Sequence, residues 1–239
     1  MAIDYHPPRS EHLAALVRPV WHALTGRQAH LAVASGAAVR IDPRYGPFAA
    51  PRDGSDEALA ALAATLAGPG DEVWLVEAEA SPVPPGTRVV RRATLLQMIA
   101  DRPQPPSPGE DPPLPLGDAD AAEMAALAHA TEPGPWGPLT QRYGQFFGLR
   151  EGGKLMAMAG ERMQPAPGLA ELSGVCTWPG YRGRGLAARL IRHVTAAQMA
   201  RGDTPYLHVY AANTGAIRLY ETLGFTATRE MVATVLALA

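Results

Sequence analysis

The chain has 239 residues, 47% of them apolar, enough to bury a core in one large domain or two small ones and too apolar for wholesale disorder. With 21 basic residues against 23 acidic ones, it offers no electrostatic footprint for nucleic acid. The single cysteine, Cys176, rules out an intrachain disulfide, residues 1–10 lack the apolar core of a leader, and the longest apolar run, 58–67, is too short for a bilayer; a cytoplasmic protein without a membrane partner is expected.

Residues 1–101 read as a small α/β unit. Helical spacing runs over 11–24, where Pro19 should kink or split the helix. Residues 31–34 and 38–41 flank Ser35-Gly36 and predict a hairpin. Ser55 precedes two acids and an alanine- and leucine-rich run to 67, an N-capped helix stopped by Gly68-Pro69-Gly70. Strands are expected at 72–77 and 88–90, and a short helix at 93–100. His6, His22 and His30 show no metal-ligand spacing, so no metal is expected.

Prolines crowd the stretch from 101 to 117, which neither a helix nor a sheet interior tolerates. A linker at 102–112 is therefore expected to divide an N-terminal domain, 1–101, from a second unit, 113–239. The second unit begins with a helix over 118–130, broken by Pro133-Gly134-Pro135. Strands at 145–150 and 155–162 join across Glu151-Gly152-Gly153-Lys154, a hairpin composition. They lead to a central strand over 170–177.

At the end of that strand the sequence runs Trp178-Pro179-Gly180-Tyr181-Arg182-Gly183-Arg184-Gly185-Leu186-Ala187 and passes into an amphipathic helix reaching about 201. Gly183 and Gly185 let the backbone turn tightly and approach a ligand. Amides from about Arg182 to Ala187, unpaired at a helix start, can converge on one phosphate, with Arg182 and Arg184 beside it. The pattern suits a diphosphate seat. A strand over 206–210, a helix over 215–223 that Asn213-Thr214 caps, and strands over 225–228 and 231–238 complete the unit. Cys176 has no histidine near it in sequence and fits a buried small hydrophobe better than a nucleophile.

The turn Arg182-Gly183-Arg184-Gly185-Leu186-Ala187 resembles the acyl-CoA signature of the GCN5-related N-acetyltransferase superfamily. Downstream, Asn213-Thr214-Gly215-Ala216-Ile217-Arg218-Leu219-Tyr220-Glu221-Thr222-Leu223-Gly224-Phe225 is similar to its second signature, and the two together resemble the FR47-like branch. The resemblance covers about 113–239; Trp178 departs from it, standing where histidine is expected. It implies an α/β fold with a mixed, mostly antiparallel sheet whose central parallel strands, 172–177 and 206–210, splay apart. Pantetheine would lie in the gap against the backbone of Val175, Cys176 and Thr177, with the diphosphate on residues 182–187. Acetyl-CoA is the implied co-substrate, and the acceptor a small-molecule or peptide amine; a homodimer is compatible with all of this.

By the same resemblance Tyr220 is the acid that protonates the departing thiolate. Asn213 either contacts CoA or caps its helix, or does both. Glu171 or His208 is the candidate base, provided its side chain faces the cleft. Two other classes compete. A non-catalytic CoA-binding module with a regulatory N-terminal unit is disfavoured by Tyr220. A nucleotide-dependent oxidoreductase would rest on Gly183-x-Gly185-x-x-Ala188, but Asp203 precedes the next strand instead of ending it.

Overall fold

Pro19 lacks the N–H a helix interior needs, and the first helical stretch divides there into α1 (Ser10–Ala15) and α2 (Pro19–Thr25), as expected. The computed structural model describes residues 10–34 and 36–239; residues 1–9, with His6, and Ser35 lie outside them. β1 (Ala32–Ala34), β2 (Ala38–Ile41) and β3 (Ala49–Pro51) form a small antiparallel sheet. Helix α3 (Asp56–Ala63) packs on it, its first turn capped by Ser55 Oγ accepting from the Ala58 N–H.

The remaining strands make one eight-stranded sheet. In chain order they are β4 (Glu72–Glu77), β5 (Thr87–Ala100), β6 (Leu114–Leu116), β7 (Phe146–Glu151), β8 (Lys154–Glu161), β9 (Leu169–Thr177), β10 (Thr204–Tyr210) and β11 (Phe225–Leu238). Across the sheet the order is β4-β11-β5-β10-β9-β8-β7-β6, antiparallel everywhere except between β9 and β10. Helices α5 (Leu186–Ala200) and α6 (Thr214–Thr222) pack on one face, around Leu190, Val194, Leu207 and Phe225. The segment containing α1, α2 and β1–β3 covers the other, around Leu16, Val20, Ile41, Ile99 and Tyr206. Helix α4 (Ala121–Thr131) buries Met124 and Leu127 against Phe146, Met158 and Cys176.

Two expected elements are corrected by the structure, the helix at 93–100 and the division of 225–238 into two strands. Residues 93–100 belong to strand β5, not to a helix: from Gln97 to Ala100 both faces of β5 are buried, which erases the alternation that marks a half-exposed strand. Because β5 sits between β11 and β10, hydrogen bonds join residues 87–100 directly to 204–210 and 225–238. The sheet is therefore continuous across the boundary expected at 102–112.

That proline-rich stretch lacks regular structure yet is docked. Asp101 and Arg102 N–H groups donate to Gly224 O, Gln104 N–H to Leu223 O, and Arg192 pairs with Glu110 at 3.2 Å. Gly224 has φ of 89°, and a Cβ there would lie 1.8 Å from Arg102 O, so only glycine lets the chain pass. β11 is one strand in which Thr228 is an extra residue between Ala227 and Arg229; two separate strands were expected there.

The two parallel strands part company early. Residues 204–206 pair with 169–171, and beyond them β9 and β10 share no further pairing. Between Ser173 and Cys176, β9 also carries one more residue than β8, with Gly174 at φ of 63°. A Cβ on Gly174 would sit 2.8 Å from Phe146 Cε1. Gly174→Ala is expected to cost about 1–3 kcal/mol, from left-handed backbone strain and overpacking, read as a lower urea midpoint at unchanged slope.

Candidate active site

The divergence of β9 and β10 opens a cleft of about 560 Å³. Of the residues singled out from sequence, Val175, Cys176, Thr177, Arg182, Ala187, His208, Asn213 and Tyr220 line it. Gly183, Arg184, Gly185 and Leu186 form the turn between Arg182 and Ala187. Glu171 is not among the lining residues.

In the turn, Gly183 and Gly185 adopt φ of 77° and 74°, and Gly185 is the N-cap of α5. Among the described residues, no protein acceptor receives the amides from Gly183 to Ala188; the first helical bond there is Arg189 N–H to Gly185 O. Residues 182–185 are exposed, and nothing lies within 4 Å of the Cβ positions of Gly183 and Gly185. Unpaired donors at the positive end of a fifteen-residue helix, open to solvent, fit a phosphate group. Arg184 reaches Glu151 at 2.7 Å and lies over the Tyr181 ring.

Along the cleft wall Thr177 Oγ1 is buried without a hydrogen-bond partner, a donor and acceptor that a bound polar chain would satisfy. The Cys176 thiol is pushed up to about 12 by burial, against smaller opposing hydrogen bonds from Thr131 and Met158, which fits the inert hydrophobe read from sequence. Asn213 Oδ1 accepts from the Ala216 N–H at 3.1 Å and so caps α6 while lining the cleft. Tyr220 packs edge-on against Phe225, its hydroxyl has no partner among the described residues, and burial pushes its phenol up to about 12. The hydroxyl therefore keeps its proton throughout the neutral range. Trp178, the departure from the expected pattern, lies under the Lys154 ammonium and packs beside Cys176.

The two candidate bases are tied to each other, Glu171 behind the cleft and His208 in its lining. Glu171 is 1% exposed and takes Arg162 bidentately, Nε to Oε2 at 3.0 Å and Nη2 to Oε1 at 2.9 Å, while the Met163 N–H also donates to it. Burial alone would raise this carboxyl; the Arg162 charge, reinforced by His208, outweighs it and holds Glu171 far below the usual carboxylate range. His208 Nδ1 meets Glu171 Oε1 at 2.8 Å, and its Nε2 meets Gln97 Nε2 at 3.0 Å. Gln97 Nε2 also donates to Leu16 O at 2.9 Å, which fixes the amide's orientation although Oε1 stays buried without a donor. The His208 lone pair is thus capped by Gln97, and the ring proton sits on Nδ1 facing Glu171. Neither residue has the free lone pair that the expected base requires.

Other lining residues were not singled out from sequence. Arg162 follows β8, Glu132 is the left-handed residue that ends α4 (φ 48°), and Phe48, Trp74, Val76 and Leu95 come from the N-terminal part of the chain. Gly174, which shapes β9 without lining the cleft, left a usable local signal, a glycine inside a strand pattern. Among the described residues no three His, Cys, Asp or Glu side chains group as metal ligands, and no helix is long and apolar enough to cross a membrane.

Residues 146–233 match the family model described as FR47-like protein. The chain is 34% identical over 120 residues to the N-alpha-acetyltransferase RimI of Mycobacterium tuberculosis, covering 46% of this chain and 75% of that protein. A GNAT-family protein from Novosphingobium aromaticivorans is 61% identical, with a TM-score of 0.89 over 94% of this chain and 99% of that one. A GCN5-related N-acetyltransferase from Kribbella flavida shares the fold at 22% identity, with a TM-score of 0.56 over 95% of this chain and 94% of its own.

Proposed function

Because the chain belongs to the GCN5-related N-acetyltransferase superfamily, in its FR47-like branch, we propose that it moves an acetyl group from acetyl-CoA to a primary amine by direct attack on the thioester. The observation that carries this reading is the convergence, on one cleft, of unpaired amides at the start of α5 and an unpartnered phenol from α6.

In this reading the amides of residues 183–188 hold the diphosphate, and Arg182 adds charge beside it. Val175, Cys176 and Thr177 present the strand edge that β10 leaves unpaired to the pantetheine arm, with Thr177 Oγ1 among its polar partners. The amine nitrogen forms its bond to the thioester carbonyl carbon, the carbon–sulfur bond breaks, and Tyr220 gives its proton to the leaving sulfur. At the solvent-open side, exposed Glu132 is the lining carboxylate that can take the amine's proton. Residues 10–100, proposed here as the acceptor-side wall, supply Phe48, Trp74 and Val76.

An amine panel with acetyl-CoA, followed by free-thiol release and by mass of the product, tests this. Acetylated amine formed in step with thiol is the expected result. CoA binding at micromolar concentration with no transfer to any amine would leave the non-catalytic CoA-binding module instead.

A further inference from the structure

Arg162 is a strongly basic side chain placed at the root of the splay, and its geometry divides it in two. The Nε and Nη2 edge is spent on Glu171. Nη1 has no hydrogen-bond partner among the described residues, yet it is not sealed from solvent as the buried unpartnered atoms are. The side chain as a whole is only 15% exposed, lies over the Phe48 ring at 4.8 Å, and lines the cleft. Packing and ion pairing therefore leave one N–H-bearing nitrogen free, held rigidly on the face of the sheet that carries Trp74, Val76 and His208.

Resting on the acetyltransfer reading above, we propose that Arg162 Nη1 recognises the acceptor through a carbonyl oxygen on the carbon that bears the reacting amine. Charge decides between the two oxygens available to such a molecule. Glu171 already neutralises Arg162 through two charge-assisted hydrogen bonds. A substrate carboxylate would put a second anion around one guanidinium, whereas a neutral amide carbonyl takes the free N–H without a counter-charge. The favoured acceptor is thus an α-aminoacyl amide, as at a peptide N-terminus, over a free amino acid or a plain alkylamine. Trp74, Val76 and Leu95 provide an apolar wall for its side chain.

Leucinamide, leucine and 3-methylbutylamine share one side chain and differ only at this carbonyl. For the wild-type protein, kcat/KM for leucinamide should exceed that for 3-methylbutylamine by about tenfold or more, with leucine below leucinamide. Arg162→Lys keeps a cation for Glu171 but removes the fork, and should shrink the leucinamide preference by about tenfold. The amines' differing basicities cancel in that ratio of ratios. Thermal melting checks that the variant is folded, and calorimetric binding of leucinamide to wild type and variant gives an answer independent of turnover. Transfer to all three amines with no preference, or a preference that survives in Arg162→Lys, overturns the proposal and leaves acetyltransfer standing. Arg162-dependent binding without transfer sustains the proposal and sinks the acetyltransfer reading. Binding that ignores both carbonyl and variant, with no transfer, defeats both; a preference for leucine over leucinamide shows that the charge argument is wrong.

Discussion

Tyr220→Phe is expected to lower kcat for acetyl transfer by about 100-fold or more while the CoA dissociation constant changes by less than about threefold. The ring's edge-on contact with Phe225 survives the substitution, so packing is kept and only the proton donor is lost. Burial, which pushes the phenol up to about 12, keeps it protonated far above neutrality. The wild-type rate should therefore show no alkaline fall until well above pH 10, and the residual rate of the variant should depend on how well solvent protonates the leaving sulfur. Faster leaving groups need less help: the deficit should narrow when the donor is an activated thioester such as acetyl-thiophenol carried without the nucleotide. Equal turnover in variant and wild type at pH 7.5 would remove Tyr220 from the chemistry, and a parallel loss of CoA affinity would make it a binding residue.

What could be read in the sequence follows how local each feature is. Gly183 and Gly185 are legible because a strand, a tight turn and a helix are consecutive, and both adopt the left-handed backbone that glycine tolerates. Ser55, Pro19 and the Gly152-Gly153 hairpin are legible for the same reason: each acts on its own neighbours. β5 is not, because its strand character is imposed by β10 and β11, more than a hundred residues later, and its doubly buried residues look helical in isolation. Glu171 shows the same limit at the site. Its position at the base of the central strand is plain from sequence, but its chemistry depends on Arg162, His208 and, through His208, Gln97 and Leu16. No pattern of spacing announces that these five residues meet. The acceptor wall is hidden likewise, since Phe48 and Trp74 reach the cleft only because the N-terminal segment lies over one face of the shared sheet.

Removing the buried carboxylate of Glu171, behind the cleft, should be strongly destabilising. In Glu171→Ala the Arg162 guanidinium stays buried without its counter-charge, and breaking such a pair costs about 3–5 kcal/mol. Replacing both partners, as in Glu171→Leu with Arg162→Met, should recover much of that loss, because two apolar groups need no compensation. The pH dependence has a definite sign. Glu171 is held below its unfolded value of 4.5, so the folded state binds fewer protons, and its stabilising contribution is fully present above about pH 4.5 and is lost as pH falls through the folded value. Urea unfolding of wild type and Glu171→Ala should give a constant gap from pH 7.5 to about 5.5. Below about pH 4.5 the gap should close by about 1.4 kcal/mol per pH unit. A gap under about 1 kcal/mol at pH 7, or one that widens on acidification, would mean that the carboxylate is not the charge that makes a buried arginine tolerable at the root of the cleft.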